Sequence, residues 1–159
     1  IKTIQELKKE KSNIKLLLIG AGKLKEEYQQ YIKKNDLENE IKLLGKRQDI
    51  NELLSITDIY LASSKREGLP VNVMEAMYKC LPIIATDNRG HRELIQDNEN
   101  GYICKKLDVQ NFKSNVEKLS EDIKKINSMK EKNNTLVRKY ELEEVKQKME
   151  EIYKDMEEY

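Results

Sequence analysis

Short apolar runs that end at glycine or a polar turn alternate with helix-patterned segments along most of this 159-residue chain. Such alternation narrows the fold to an α/β architecture with a mostly parallel sheet. The run Ile14–Ile19 stops at Gly20, as a strand buried in a parallel sheet does. Ile41–Leu44 is closed by Gly45, and Ile59–Ala62, Pro82–Ala85 and Tyr102–Cys104 supply three further strands. Helices are expected over Ile1–Lys11, Leu24–Lys34, Asp49–Ser55 and Val71–Cys80, with Asp49 as an N-cap. Pro70 sits near the first turn of the last of these, where a missing N–H costs little. Val109–Tyr159 reads as two or three charged helices, and no repeat or linker divides residues 1–159, so a single domain is expected.

In open parallel sheets, ligands bind outside the carboxyl ends of the strands. The unusual residues of this chain fall at those ends: Gly20–Lys23, Gly45–Arg47, Ser63–Pro70 and Thr86–Arg92. Four loops are therefore expected to converge on one crevice. Composition narrows the ligand. Charged residues make up 37% of the chain but the net charge is only +1, which argues against a dedicated nucleic-acid binder. Charge is unevenly spread, with 12 Lys/Arg against 7 Asp/Glu in residues 1–47 and 3 against 8 in residues 140–159. Solvated helix faces explain this, as does a basic half that meets an anionic ligand or a membrane. Cys80 and Cys104 lack metal-site spacing and fit free thiols in a reducing cytosol. No apolar run reaches membrane-span length and the N-terminus is not a signal peptide, so a soluble, cytoplasmic protein is expected.

The segment REGLPVNVMEAM carries the sharpest chemistry. Glu67 lies in the loop at the strand end and Glu75 about one turn inside the following helix. A helix start holds phosphate through free N–H groups, and Val71 and Asn72 are the donors here because Pro70 has none. Helical side chains lean toward the N-terminus, so Glu75 points back at that anion site, where a carboxylate accepts bonds from two ribose hydroxyls. Burying Glu75 unpaired is costly, so a partner is expected. Gly20-Ala21-Gly22 only partly matches a dinucleotide fingerprint, whose third glycine is replaced by Lys25. A tight turn, or a close approach of Gly22 to a nucleotide, both fit. Lys46 and Arg47 either flank a base or phosphate or form a solvated turn. Arg89 and Arg92 are candidate anion contacts, and His91, the only histidine, reads as structural or surface.

The runs LLLIGAG, IKLLG, EGLPVNVMEAM, LPIIATDNRGHRELI and NGYIC resemble the donor-binding C-terminal domain of retaining family 4 glycosyltransferases, of the bacterial type that builds capsular, exo- or lipopolysaccharide. The resemblance spans roughly residues 1–155. It implies one half of a GT-B fold, a Rossmann-like parallel sheet with helices on both faces, with its first strand missing. It further implies transfer of a sugar from a nucleotide-diphosphate sugar to a glycan or lipid-linked acceptor, with retention and without metal or cofactor. Glu67 would stand nearest the chemistry as the catalytic candidate, touching hydroxyls of the donor sugar. Glu75 would bind ribose, Leu69, Val71 and Asn72 would touch sugar and distal phosphate through their backbone, and Lys46 and Arg47 would lie against the base. The acceptor would enter through an absent N-terminal domain, with possible peripheral contact at the inner face of the membrane. An Arg and a Lys that neutralise the diphosphate in the family have no counterpart here, so the chain alone is expected to transfer nothing. The family often carries a small residue or glycine where Lys79 and Cys80 stand. Alternatives are half of a non-hydrolysing sugar-nucleotide epimerase, which needs further acids and histidines, and a non-catalytic nucleotide-binding module.

Overall fold

The computed structural model describes residues 1–10 and 13–157. Eight helices and five strands follow one another as α1 Lys2–Lys9, β1 Leu16–Ile19, α2 Lys25–Lys34, β2 Ile41–Gly45, α3 Ile50–Ser55, β3 Tyr60–Ala62, α4 Val71–Tyr78, β4 Ile83–Thr86, α5 Arg89–Leu94, β5 Gly101–Cys104, α6 Val109–Glu121, α7 Ile123–Val137 and α8 Leu142–Glu157. A short 3-10 turn, Arg138–Tyr140, joins the last two helices. Every strand pairing is parallel, as the alternation predicts. The expected helix ends at Lys11 and Tyr159 lie outside the described residues. One element was not expected: α5 forms inside the segment that reads as a polar loop.

The strands fall into two hydrogen-bonded groups rather than one. β1 pairs with β2, and β3, β4 and β5 pair in that order. The remaining edges of β1 and β3 find no strand partner among the described residues, and Leu16–Ile19 and Tyr60–Ala62 line a shared cavity of about 860 Å³. β4 is the buried centre of the larger group. Its side chains alternate between the two faces, Ile84 joining one apolar cluster and Ile83 and Ala85 the other. The first cluster takes Ile4 and Leu7 from α1 and Phe112, Val116 and Leu119 from α6. The second takes Leu54 from α3, Val73, Ala76 and Met77 from α4, and Leu94 from α5. Helices thus cover both faces, and α7 serves both clusters through Met129 and Val137.

Two asparagines anchor α7. Asn133 Nδ2 donates to the carbonyls of Leu81 (2.7 Å) and Asn100 (2.9 Å), while Asn100 Nδ2 donates to Asn133 Oδ1 (2.8 Å) and the Leu94 carbonyl (3.0 Å). Both side chains are fully buried. Because every donor is used, this network fixes α7 against the starts of β4 and β5 instead of costing stability.

Candidate active site

The loop after β4 forms a rigid floor. His91 is 1% exposed, and its Nδ1–H donates to the Thr86 carbonyl at 2.7 Å. Asn88 caps α5 by accepting the His91 amide at 3.0 Å, and its Nδ2 donates to the Ser64 carbonyl at 3.0 Å. The Thr86 hydroxyl donates to the same carbonyl. The loops after β3 and β4 are therefore stitched at Ser64. They also meet at Gly90, where a Cβ would fall 2.5 Å from the Gly68 carbonyl oxygen and 2.8 Å from Glu67 Cβ. Only glycine permits that approach, so the backbone of Glu67 and Gly68 rests directly on α5.

On this floor stands the start of α4. Pro70 occupies the N-cap position and no side chain caps the helix. The amides of Val73 and Met74 fold back on the Pro70 carbonyl. Those of Val71 and Asn72 have no partner among the described residues and face outward, the arrangement that receives an anion. Asn72 and Glu75 line the 860 Å³ crevice together with Tyr60, Ser63 and Ser64 from the end of β3. Burial pushes the Tyr60 phenol above its ordinary value, opposed by the nearby Asn72 side chain and reinforced by the negative charges of Glu75 and Glu67. The rest of the crevice is largely apolar, with Leu16–Ile19, Tyr28 and Tyr31 along its other side.

Glu67 opens the other way. It is half-buried and lines a neighbouring cavity of about 520 Å³ with cationic side chains from the ends of β3, β4 and β5. The two glutamates of the motif therefore flank the same loop but face adjoining spaces.

Several expectations change. Glu75 is exposed and has no side-chain partner among the described residues, so the desolvation that called for a partner does not arise. Asp49 holds the N-cap position of α3 without capping it, because Arg47 grips its carboxylate through Nε at 2.8 Å and an Nη at 2.6 Å. That grip holds the Asp49 carboxyl below its usual range. Arg47 is therefore spent on Asp49, and neither it nor Lys46 lines either cavity. Gly22 lines neither cavity. The glycine its turn requires is Gly20, at φ +129°, whose amide bonds the Gly45 carbonyl at 2.8 Å. Leu69 and Val71 are exposed beside the helix start, at 49% and 61%. Of the described basic residues in 1–47, only Lys2 lines either of these two cavities, whereas Arg89 and Arg92 both line the one around Glu67. His91 is structural, sealed under the loop. Two features escape sequence reasoning. Tyr60 reads as one more apolar strand residue, and its signal is only that it precedes Ser63-Ser64 at a strand end. Lys105 and Lys106 follow β5 and obey the same strand-end rule.

Among the described residues, no group of three His, Cys, Asp or Glu side chains is placed to hold a metal ion. No described helix is long and apolar enough to cross a membrane. A family model, glycosyl transferases group 1, matches residues 1–136. The chain is 41% identical over 113 residues to the putative glycosyltransferase EpsD of Bacillus subtilis, covering 71% of this chain and 30% of that protein. It is 32% identical over 118 residues to the amylovoran biosynthesis glycosyltransferase AmsK of Erwinia amylovora, covering 69% and 29%. Among solved structures, Anabaena HepE in complex with UDP superimposes with a TM-score of 0.87 at 21% identity, over 97% of this chain and 44% of that one. The chain thus spans about 30% of the length of these curated relatives.

Proposed function

The chain belongs to the glycosyl transferases of group 1, and from that premise we propose that it forms the part of such an enzyme that holds a nucleotide-diphosphate sugar. One observation carries the reading: the uncapped start of α4, Glu75, Asn72 and Tyr60 line one crevice at the carboxyl ends of the strands. Each matches a part of the ligand. The carboxylate of Glu75 accepts hydrogen bonds from two ribose hydroxyls, the amides of Val71 and Asn72 meet phosphate oxygens, and Tyr28 and the leucines of β1 offer apolar surface to a base. Beyond the phosphates, Glu67 takes hydroxyls of the sugar.

In the whole enzyme the bond from the anomeric carbon to the diphosphate breaks, and the nucleotide departs with the electron pair. A bond forms to an acceptor hydroxyl oxygen, which releases its proton. The family resemblance favours retention at the anomeric carbon and a glycan or lipid-linked acceptor held by a facing domain at the inner membrane surface. The amylovoran relative supports polysaccharide synthesis as the setting. Glu67 and Glu75 act here by binding and orienting, without a proton transfer assigned to either. An epimerase would need an accessible histidine, and His91 is sealed in the core with its Nδ1 proton committed.

Calorimetric titration with UDP, GDP and ADP tests the reading, starting with UDP because HepE was solved with it. Saturable binding of one of them is expected, weakened at least about tenfold in Glu75→Ala, the loss typical of hydrogen bonds to a charged group. A folded chain that binds no nucleotide, or a Glu75→Ala variant with full affinity, would defeat it.

A further inference from the structure

The cavity around Glu67 gathers six cations and two carboxylates, a net charge of +4 in a chain whose overall charge is +1. Lys65 and Arg66 come from the end of β3, Arg89 and Arg92 from α5, and Lys105 and Lys106 from the end of β5. Arg92 is paired with Asp87. The other five have no ion pair among the described residues, and Glu67, in their midst, pairs with none of them. Elsewhere on the surface, carboxylates are found readily: Lys8 meets Glu40, Lys113 meets Glu10 and Lys132 meets Glu99. Five exposed, unpaired like charges around one concavity raise the positive potential there and favour the entry of an anion.

This cavity shares no lining residue with the Glu75 crevice, yet the two are contiguous along the chain. Ser64 lines the crevice and Lys65 the cavity, and the same switch occurs between Thr86 and Asp87 and between Leu107 and Lys106. A ligand seated at Glu75 thus leads toward the cations. We infer that the cavity around Glu67 receives an oxyanion, a carboxylate or phosphate, carried by the transferred sugar or by the acceptor. The nucleotide-sugar reading supplies the source of that group, and the charge cluster supplies the site. Two sources fit: an acidic donor sugar, or a phosphate on the acceptor.

Inorganic phosphate tests the site without any nucleotide. Titrated at constant ionic strength, it should shift the amides of Gly68, Asn88 and Lys106 in a saturable way. The double variant Arg89→Gln, Lys105→Gln, at exposed positions outside the packed core, should weaken that binding roughly tenfold. Unsaturable shifts, or equal affinity in the variant with its heat-unfolding midpoint unchanged, would overturn the inference. A second arm compares UDP-glucuronate with UDP-glucose. A preference of about fivefold or more for the glucuronate, lost in the double variant, assigns the anion to the donor. Equal binding of the two, with phosphate still bound in the cavity, assigns it to the acceptor. If none of UDP, GDP and ADP binds, the nucleotide-sugar reading falls, and the phosphate arm still decides the cavity.

Discussion

The loops after β3 and β4 lie against each other but use their polar groups in opposite ways. After β4, the groups that shape the loop are turned inward: His91 bonds Thr86, and Asn88 serves both His91 and Ser64. After β3 and into α4, the polar groups stay free: the amides of Val71 and Asn72 are uncapped, and Glu75 is exposed without a partner. The lesson is a division of labour. A loop can offer unsatisfied groups where a neighbouring loop, its buried groups satisfied, holds it in place.

Gly90 is where this division is easiest to break. In Gly90→Val the added carbons would occupy the space of the Gly68 carbonyl and Glu67 Cβ. Overpacking against backbone leaves little room to relax, so a loss of about 3 kcal/mol is expected in urea unfolding. Nucleotide affinity should fall with it, since the loop that carries Glu67 must move. A folded fraction that binds UDP with wild-type affinity would show that the two loops are not coupled through this contact.

His91→Ala attacks the floor alone. It removes a buried ring and strands the Thr86 carbonyl, for an expected loss of about 2 to 3 kcal/mol. Once corrected for the unfolded fraction, nucleotide affinity should hold within about twofold. A large loss of affinity at modest cost in stability would instead move His91 from the framework into the site. Glu75→Gln is the converse. An exposed carboxylate without a partner contributes little to the fold, so stability should stay within about 0.5 kcal/mol of wild type. UDP affinity should drop roughly tenfold, about 1.4 kcal/mol, as charge-assisted bonds become neutral ones. A variant that loses stability but not affinity would reverse the assignment of the two loops.

The fold was legible because its signals are local and periodic. Apolar runs closed by glycine mark β1 and β2, and the alternation of strand and helix fixes the parallel arrangement. Glu67, Asn72 and Glu75 were legible for the same reason, since their spacing on a strand–turn–helix unit sets where they stand. What escaped depends on distant parts of the chain. Nothing near Asn133 in sequence says that Asn100 and Leu81 await it. The cationic cavity draws on three separate strand ends, so no single window displays it. Nor does the sequence say that the Asp49 carboxylate turns to Arg47 instead of capping α3. Cys80 illustrates a half-read signal, in which the place of a small residue was visible and its cause was not.

That cause lies at the far end of α4. Cys80 adopts φ +58°, with its amide on the Met77 carbonyl at 2.8 Å and the Leu81 amide on the Ala76 carbonyl at 3.0 Å. This is the left-handed helix ending that glycine enters without steric cost, and a side chain there costs roughly 1 kcal/mol. α2 ends the same way, with Asp36 at φ +53° and the Leu37 amide on the Ile32 carbonyl at 2.9 Å. Cys80→Gly should therefore stabilise the chain by about 1 kcal/mol, raising the unfolding midpoint by roughly 2 to 4 °C for a chain of this size. Its effect on UDP affinity should be nil, because the proposed ligand site lies at the other end of the helix. An unchanged or lower midpoint would mean that the contacts of the half-buried Cys80 side chain outweigh the backbone strain. A change in affinity would mean that the two ends of α4 are not independent, and the division between framework and binding groups would no longer run through this helix.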